Sequence, residues 1–136
     1  MARPGRRRIL VLEDDPAVQR FIAAALDGLE LLLLPCSTLA QARGTLRNRP
    51  VQLMVIDLTV PDGSGLELLQ WLNAQRWPCR TIVFSGTADA ALLQHQLQAY
   101  GVWRVLLKPA SAADLRSCVC DALNEARERV DSASTA

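Results

Sequence analysis

The sequence predicts a doubly wound α/β domain, a parallel sheet with helices on both faces. Five short apolar runs carry that prediction, at Ile9 to Leu12, Leu29 to Leu34, Leu53 to Ile56, Thr81 to Phe84 and Val102 to Leu107, each bounded by turn residues and separated from the next by a segment of helical spacing. Strands that alternate with helices pair in parallel through right-handed crossovers, and continuously apolar strands imply cover on both faces. Length and composition agree: 136 residues, half of them hydrophobic, suffice for one domain with a buried core.

The helices follow in order. Asp15 is placed to cap the first, Pro16 suits its first turn, and Gly28 follows its end. The second is expected to begin at Ser37 and run through Leu39, Ala42 and Leu46, with Gly44 costing about 1 kcal/mol relative to alanine. A third starts near Ser64 and aligns Leu66, Leu69 and Leu72, and a fourth covers Ala90 to Ala99 with Leu93 and Leu97 inward. The last has Ser111 as its cap and Asp114 in its first turn, followed by a stripe of Leu115, Cys118, Val119, Ala122, Leu123, Ala126 and Val130. The domain is expected to span 8–130. Residues 1–7 form a basic tail in an N-terminus crowded by Arg3, Arg6, Arg7 and Arg8, and 131–136 read as a polar tail or the start of a linker.

A formal net charge of +1 gives little support for a nucleic-acid surface. No apolar stretch approaches the roughly 20 residues of a membrane span, so neither direct nucleic-acid binding nor a membrane is expected. Cys36, Cys79, Cys118 and Cys120 lack the paired spacing of a zinc site, and no secretory segment precedes them. They read as reduced thiols in a cytoplasmic protein.

In doubly wound sheets ligands bind beyond the carboxyl ends of the strands. Here those ends carry Glu13, Asp14 and Asp15 after the first strand, Asp57 after the third, Ser85 after the fourth and Lys108 after the fifth. Taken singly, each suits a solvent-facing strand end, and Asp15 reads simply as a helix cap. Together, Glu13, Asp14 and Asp57 would repel one another without a cation among them. Hard oxygen donors select magnesium or manganese, which the distant cysteines could not hold. Asp57 is a carboxylate nucleophile, and Lys108 adds a compact positive charge, so the set suits phosphoryl transfer with an acyl phosphate on Asp57.

The motifs ILVLEDDP at Ile9 to Pro16, VIDLTVPDGSG at Val55 to Gly65, TIVFSG at Thr81 to Gly86 and LLKP at Leu106 to Pro109 closely resemble the receiver domain of two-component response regulators, from Arg8 to Val130. The resemblance implies a flavodoxin-like (βα)5 fold with strand order 2-1-3-4-5. It implies Asp57 as phosphoacceptor, Asp14 as a direct ligand of Mg2+ or Mn2+, Glu13 as a ligand through water, and Thr59 as a ligand through its backbone carbonyl. Ser85 and Lys108 would hold the phosphoryl oxygens, and Thr59 and Thr87 would tune hydrolysis. The implied donor is a phosphohistidine on a sensor histidine kinase or histidine phosphotransfer protein. The chain would promote only its own phosphorylation and dephosphorylation, without being an enzyme toward other substrates, and would act on a downstream output protein or domain.

Val105 stands where the family usually has Tyr or Phe, Ala110 where a Phe is frequent, and Gly86 where Ala is common. These departures leave the acidic set intact and bear on the signalling face, where a homodimer is a weak expectation. Trp103, near that face, is either a partial substitute for the aromatic switch or an ordinary sheet aromatic. His95 reads as a solvated helix position, and Trp71 and Trp77 cover core or meet a partner. The main alternative function is a receiver-like binding module that signals without phosphorylation, but such modules usually lose an acid, the acceptor or the lysine. An aspartyl phosphatase would want an Asp where Thr59 stands, and the acids after the first strand would repel the phosphate of a flavodoxin-type cofactor.

Overall fold

A computed structural model of the chain describes residues 6–77 and 79–134, with side chains as far as residue 124. The elements in order are β1 (Arg7–Leu12), α1 (Pro16–Ala25), β2 (Leu31–Cys36), α2 (Leu39–Asn48), β3 (Leu53–Ile56), β4 (Thr59–Val60), β5 (Gly63–Ser64), α3 (Gly65–Gln75), β6 (Arg80–Gly86), α4 (Thr87–Ala99), β7 (Arg104–Lys108) and α5 (Ala112–Ser134). Five long strands form one parallel sheet in the order β2-β1-β3-β6-β7. In chain order these are the second, first, third, fourth and fifth long strands, as the resemblance implied. β4 and β5 are a separate two-residue antiparallel pair that the apolar pattern could not reveal.

The period of two along each strand sorts the core into two layers. Leu10, Leu12, Met54 and Ile56 face one side and pack with Leu39 and Ala42 of α2, Leu68 and Leu72 of α3, and Leu97 of α4. Ile9, Val11, Leu53 and Val55 face the other, against Ile22 and Ala25 of α1 and the α5 stripe of Leu115, Cys118, Val119, Ala122 and Leu123. The remaining two stripe positions, Ala126 and Val130, lie outside the described side chains. Both faces of β1, β3 and β6 are therefore covered. The edge strands are not fully buried: β2 is largely half-buried, and Val105 and Leu107 of β7 are exposed.

Several boundaries differ from expectation for local reasons. β2 begins at Leu31 because Gly28 and Glu30 adopt left-handed backbone, with φ 83 and 53, which delays the strand. Its Pro35 is tolerated because β2 is an edge. Thr38, not Ser37, caps α2 by accepting from the Gln41 N–H at 3.1 Å, while Ser37 bonds the Gln41 side chain. α4 begins three residues early, at Thr87, and Leu93 is half-buried where Leu97 is buried. β7 begins at Arg104, not at Val102. Arg7, expected in the basic tail, is the first residue of β1, pairs with Leu31 and donates to the Leu123 carbonyl at 3.4 Å. The α5 backbone stays helical to Ser134, into the stretch expected as a polar tail: once a helix is nucleated, each added residue costs little.

The expected cap at Asp15 is present, and Ser64, near which the third helix was expected to start, caps α3. The Asp15 side chain accepts from the Ala17 N–H at 2.9 Å. Ser64 and Glu67 form a reciprocal capping box, with bonds of 3.2 and 3.1 Å. Gly65, which opens α3, sits so close to the chain that a Cβ there would run into the Asp57 carbonyl oxygen, and its N–H donates to the Leu58 carbonyl at 2.9 Å. Gly65→Ala is expected to cost roughly 2–3 kcal/mol, a fall in Tm of about 6–10 °C by thermal denaturation. An unchanged Tm would show that the loop after β3 yields without cost.

Candidate functional site

Sheet register brings the site together. Leu12 pairs with Ile56, so Glu13 and Asp57 leave adjacent parallel strands side by side, and Ser85 and Lys108 lie at the same end on β6 and β7. Backbone bonds extend that alignment past the strands: the Glu13 N–H donates to the Cys36 carbonyl and the Asp57 N–H to the Leu12 carbonyl, both at 2.9 Å. Gln19 of α1 donates through Nε2 to the carbonyl oxygens of Glu13 at 3.0 Å and Val11 at 3.3 Å, and so pins the end of β1.

Asp57 is 8% exposed and every described contact of its carboxylate is a donor. Oδ1 accepts from the Ser85 hydroxyl at 2.8 Å and the Thr59 N–H at 3.2 Å, and Oδ2 accepts from Lys108 Nζ at 3.1 Å. The same ammonium donates to Glu13 Oε2 at 2.8 Å, and Glu13 Oε1 accepts from the Asp15 N–H at 3.2 Å. Ser85 is fully buried, and its oxygen also accepts from the Leu58 N–H at 3.4 Å.

These contacts sort the two buried acids. Burial would raise the Asp57 pKa, but hydrogen bonds from Ser85, Lys108 and Thr59, with the charge of Lys108, outweigh it and hold the carboxyl below the ordinary aspartate range. For Glu13 burial wins over the bonds from Lys108 and Asp15, so its pKa is raised. Burial would lower Lys108, yet bonds to Glu13 and Asp57 raise it above the usual lysine value. At neutral pH Asp57 is an anion held ready by fixed donors.

Glu13, Asp14 and Asp57 each offer an oxygen, and these lie within 4.8 Å of one another, Asp14 being solvent-exposed. Three carboxylates face one ammonium, leaving a formal charge of −2 on a set of hard oxygen donors. That is the donor chemistry and charge of a divalent-cation site. The sequence-predicted residues Glu13, Asp14, Asp57, Ser85 and Lys108 thus converge, and Thr59 follows Asp57 on β4. Thr87 opens α4 beyond Ser85.

Two acids near the site were not anticipated. Asp62 accepts from the N–H groups of Leu39 at 2.8 Å and Ala40 at 3.2 Å, which ties the β4–β5 turn to the start of α2 and lowers its pKa. Asp89 accepts from the Thr59 hydroxyl at 3.0 Å and ties β4 to α4. The turn residues Pro61-Asp62-Gly63 were a signal for the first, and nothing local marks the second. Trp103, one residue before β7, packs on the core beneath Arg80 and Arg104, a packing role. Trp71 is half-buried against the core, Trp77 is exposed beside it, and His95 is exposed on α4. All four cysteines are free, and among the described residues no helix is long and apolar enough to cross a membrane.

Residues 9–120 match the family model described as response regulator receiver domain. The response regulator protein PilR of Pseudomonas aeruginosa is 29% identical over 120 residues, 87% of this chain and 26% of PilR. The KDP operon transcriptional regulatory protein KdpE of Escherichia coli is 30% identical over 110 residues, 80% of this chain and 48% of KdpE. The chain thus spans about a quarter of the one relative and about half of the other. A CheY-like response regulator receiver domain protein from Methanospirillum hungatei shares the fold, with a TM-score of 0.80 at 21% identity over 92% of this chain and 99% of that one. The family match reaches every strand of the sheet and covers every acid of the cluster, and the retained acids do not favour a phosphorylation-independent module: this chain belongs to the response regulator receiver family and is a receiver domain of two-component signal transduction.

Proposed function

We propose that Asp57 is the phosphoacceptor of this receiver, taking a phosphoryl group from a phosphohistidine of a sensor histidine kinase or histidine phosphotransfer protein. The observation that carries the reading is the buried Asp57 carboxylate, held by Ser85, Thr59 and Lys108 with the oxygens of Glu13 and Asp14 beside it. An Asp57 oxygen attacks phosphorus, the P–N bond to the donor imidazole breaks, and an acyl phosphate remains on Asp57. Lys108 stays beside the incoming equatorial oxygens as charge spreads over them. Asp14 and Asp57, with Glu13 through water and the Thr59 carbonyl, would hold Mg2+ or Mn2+, which would supply further charge neutralisation.

The same contacts supply a switch. In the unphosphorylated state Ser85 spends its hydroxyl on Asp57 Oδ1. A phosphoryl group replaces that acceptor with oxygens of greater charge, and Ser85 turns to them. Because β6 runs through Gly86 directly into α4, that rotation reaches the surface beside Val105. Phosphorylation shifts the population only as far as Ser85 and Lys108 bind the group better in one form than the other. The chain promotes its own phosphorylation and hydrolysis, Thr59 and Thr87 tune the latter, and the altered face acts on an output protein or domain.

Incubation with Mg2+ and acetyl phosphate is expected to give one phosphoryl adduct by intact-protein mass spectrometry. Asp57→Asn and chelator should each abolish it, whereas an adduct persisting in Asp57→Asn would move the acceptor elsewhere. Added Mg2+ should raise the Tm of the wild type by binding the folded state; Asp14→Asn should lose most of that rise, and an equal rise in both would remove Asp14 from the metal site. Ser85→Ala should still be labelled, yet show little of the chemical-shift change along α4 and β7 that labelling produces in the wild type. A full response in that variant would exclude Ser85 as the switch.

A further inference from the structure

The end of the sheet opposite the carboxylates has the reverse character. Beside the starts of β3, β6 and β7 lie two adjoining hollows of about 410 and 1150 Å³ that share Val51, Leu72, Trp77 and Cys79 as walls. Arg47, Arg49, Arg76 and Arg80 stand around them, and among the described residues neither lining contains an Asp or Glu. Arg47, Arg49 and Arg76 are exposed and make no ion pair among the described residues. Arg47 lies over Trp71, 5.3 Å from the ring centroid, and Trp77 meets Trp71 edge-on at 5.3 Å.

Arg76 sharpens the picture. It ends α3 in left-handed backbone, φ 57 and ψ 38, where an L side chain costs roughly 1 kcal/mol and glycine is the usual occupant. The chain thus places a cation in the lining of the larger hollow at a position where glycine would be locally favoured.

We propose that this groove binds an acidic, partly apolar polypeptide segment of a partner protein, its carboxylates paired with Arg49 and Arg76 and an apolar side chain seated against Trp77 and Leu72. Guanidinium groups match carboxylates in a bidentate fork, and Arg and Trp are the residue types that dominate protein interfaces. A nucleic acid fits less well, since single strands bind by stacking bases on bare aromatic faces. Here the Trp103 ring already carries Arg80 and Arg104, at 5.3 and 4.1 Å, which leaves Trp77 as the exposed aromatic among the described lining residues, too little surface for successive bases to stack on. Because the groove lies at the far end of the strands from Asp57, its occupant and the phosphoryl donor do not compete for space.

The test uses fluorescence anisotropy of the whole chain with three labelled probes: a twelve-residue peptide alternating Glu and Leu, its Gln/Leu counterpart, and a twelve-nucleotide oligothymidine. The Glu/Leu peptide is expected to bind about tenfold tighter than the other two, and the double variant Arg49→Gln/Arg76→Gly to lose about tenfold. That variant should keep or raise the Tm, because glycine relieves the left-handed position, and should still be labelled by acetyl phosphate. Arg49→Gln alone, in an exposed loop, gives a smaller loss in the same direction. Equal binding of the Glu and Gln peptides, affinity within twofold between wild type and double variant, or tighter binding of the oligothymidine would each overturn the proposal.

Discussion

Lys108 donates to Glu13 at 2.8 Å and to Asp57 at 3.1 Å, and this bridge makes tolerable what the fold imposes. Register forces Glu13 and Asp57 out of neighbouring strands together, with Asp14 next in line. At an effective dielectric constant of 20, two carboxylate charges 4.8 Å apart repel by about 3–4 kcal/mol, less for the exposed Asp14. One ammonium between two buried acids offsets much of that repulsion but not all of it. The residual negative charge on these hard oxygen donors is of the kind that a divalent cation would neutralise.

The bridge also divides labour between the acids. Asp57 collects donors from three elements, β4, β6 and β7, and remains an anion despite burial. Glu13 collects fewer, so burial prevails there and its pKa moves the other way. Two carboxylates a few ångströms apart thus acquire different characters from their hydrogen bonds and neighbouring charges, and the one with the fuller set of donors is the one suited to nucleophilic attack. Around them Asp62, Asp89, Gln19 and Gly65 tie the loops to the helices that follow or flank them, so the site is held by backbone and by side chains that take no part in the chemistry.

The molecule is polar along its strands. Carboxylates gather where the strands end, and arginines gather beside the groove where they begin. Parallel strands allow this because all of their starts lie at one end of the sheet, so charge placed before each strand accumulates at a single pole. The departures from the family pattern fall elsewhere: Val105 is exposed on the edge strand β7, and Trp103 is committed to packing under two guanidinium groups. Position 105 therefore offers no aromatic side chain to this face.

Sequence alone determined what is local. Apolar runs marked all five long strands, Asp15 marked the cap of the first helix and Ser64 the neighbourhood where the third begins, and the acids, Ser85 and Lys108 were visible at strand ends because a strand's end is written in the residues that close it. Even there the boundaries moved: left-handed Glu30 delayed β2, and Arg7 joined β1 through its pairing with Leu31. Only the tertiary structure decided which of these groups touch. Lys108 reaches Glu13 across 95 residues of chain, Ser85 reaches Asp57 across 28, Asp62 caps a helix 23 residues earlier, and the arginine-lined groove assembles from α2, α3, β6 and the turn before β7. The physical reason is that periodicity and capping are set by neighbours along the chain, whereas a hydrogen bond between strand ends depends on sheet register, which exists only once the strands have paired.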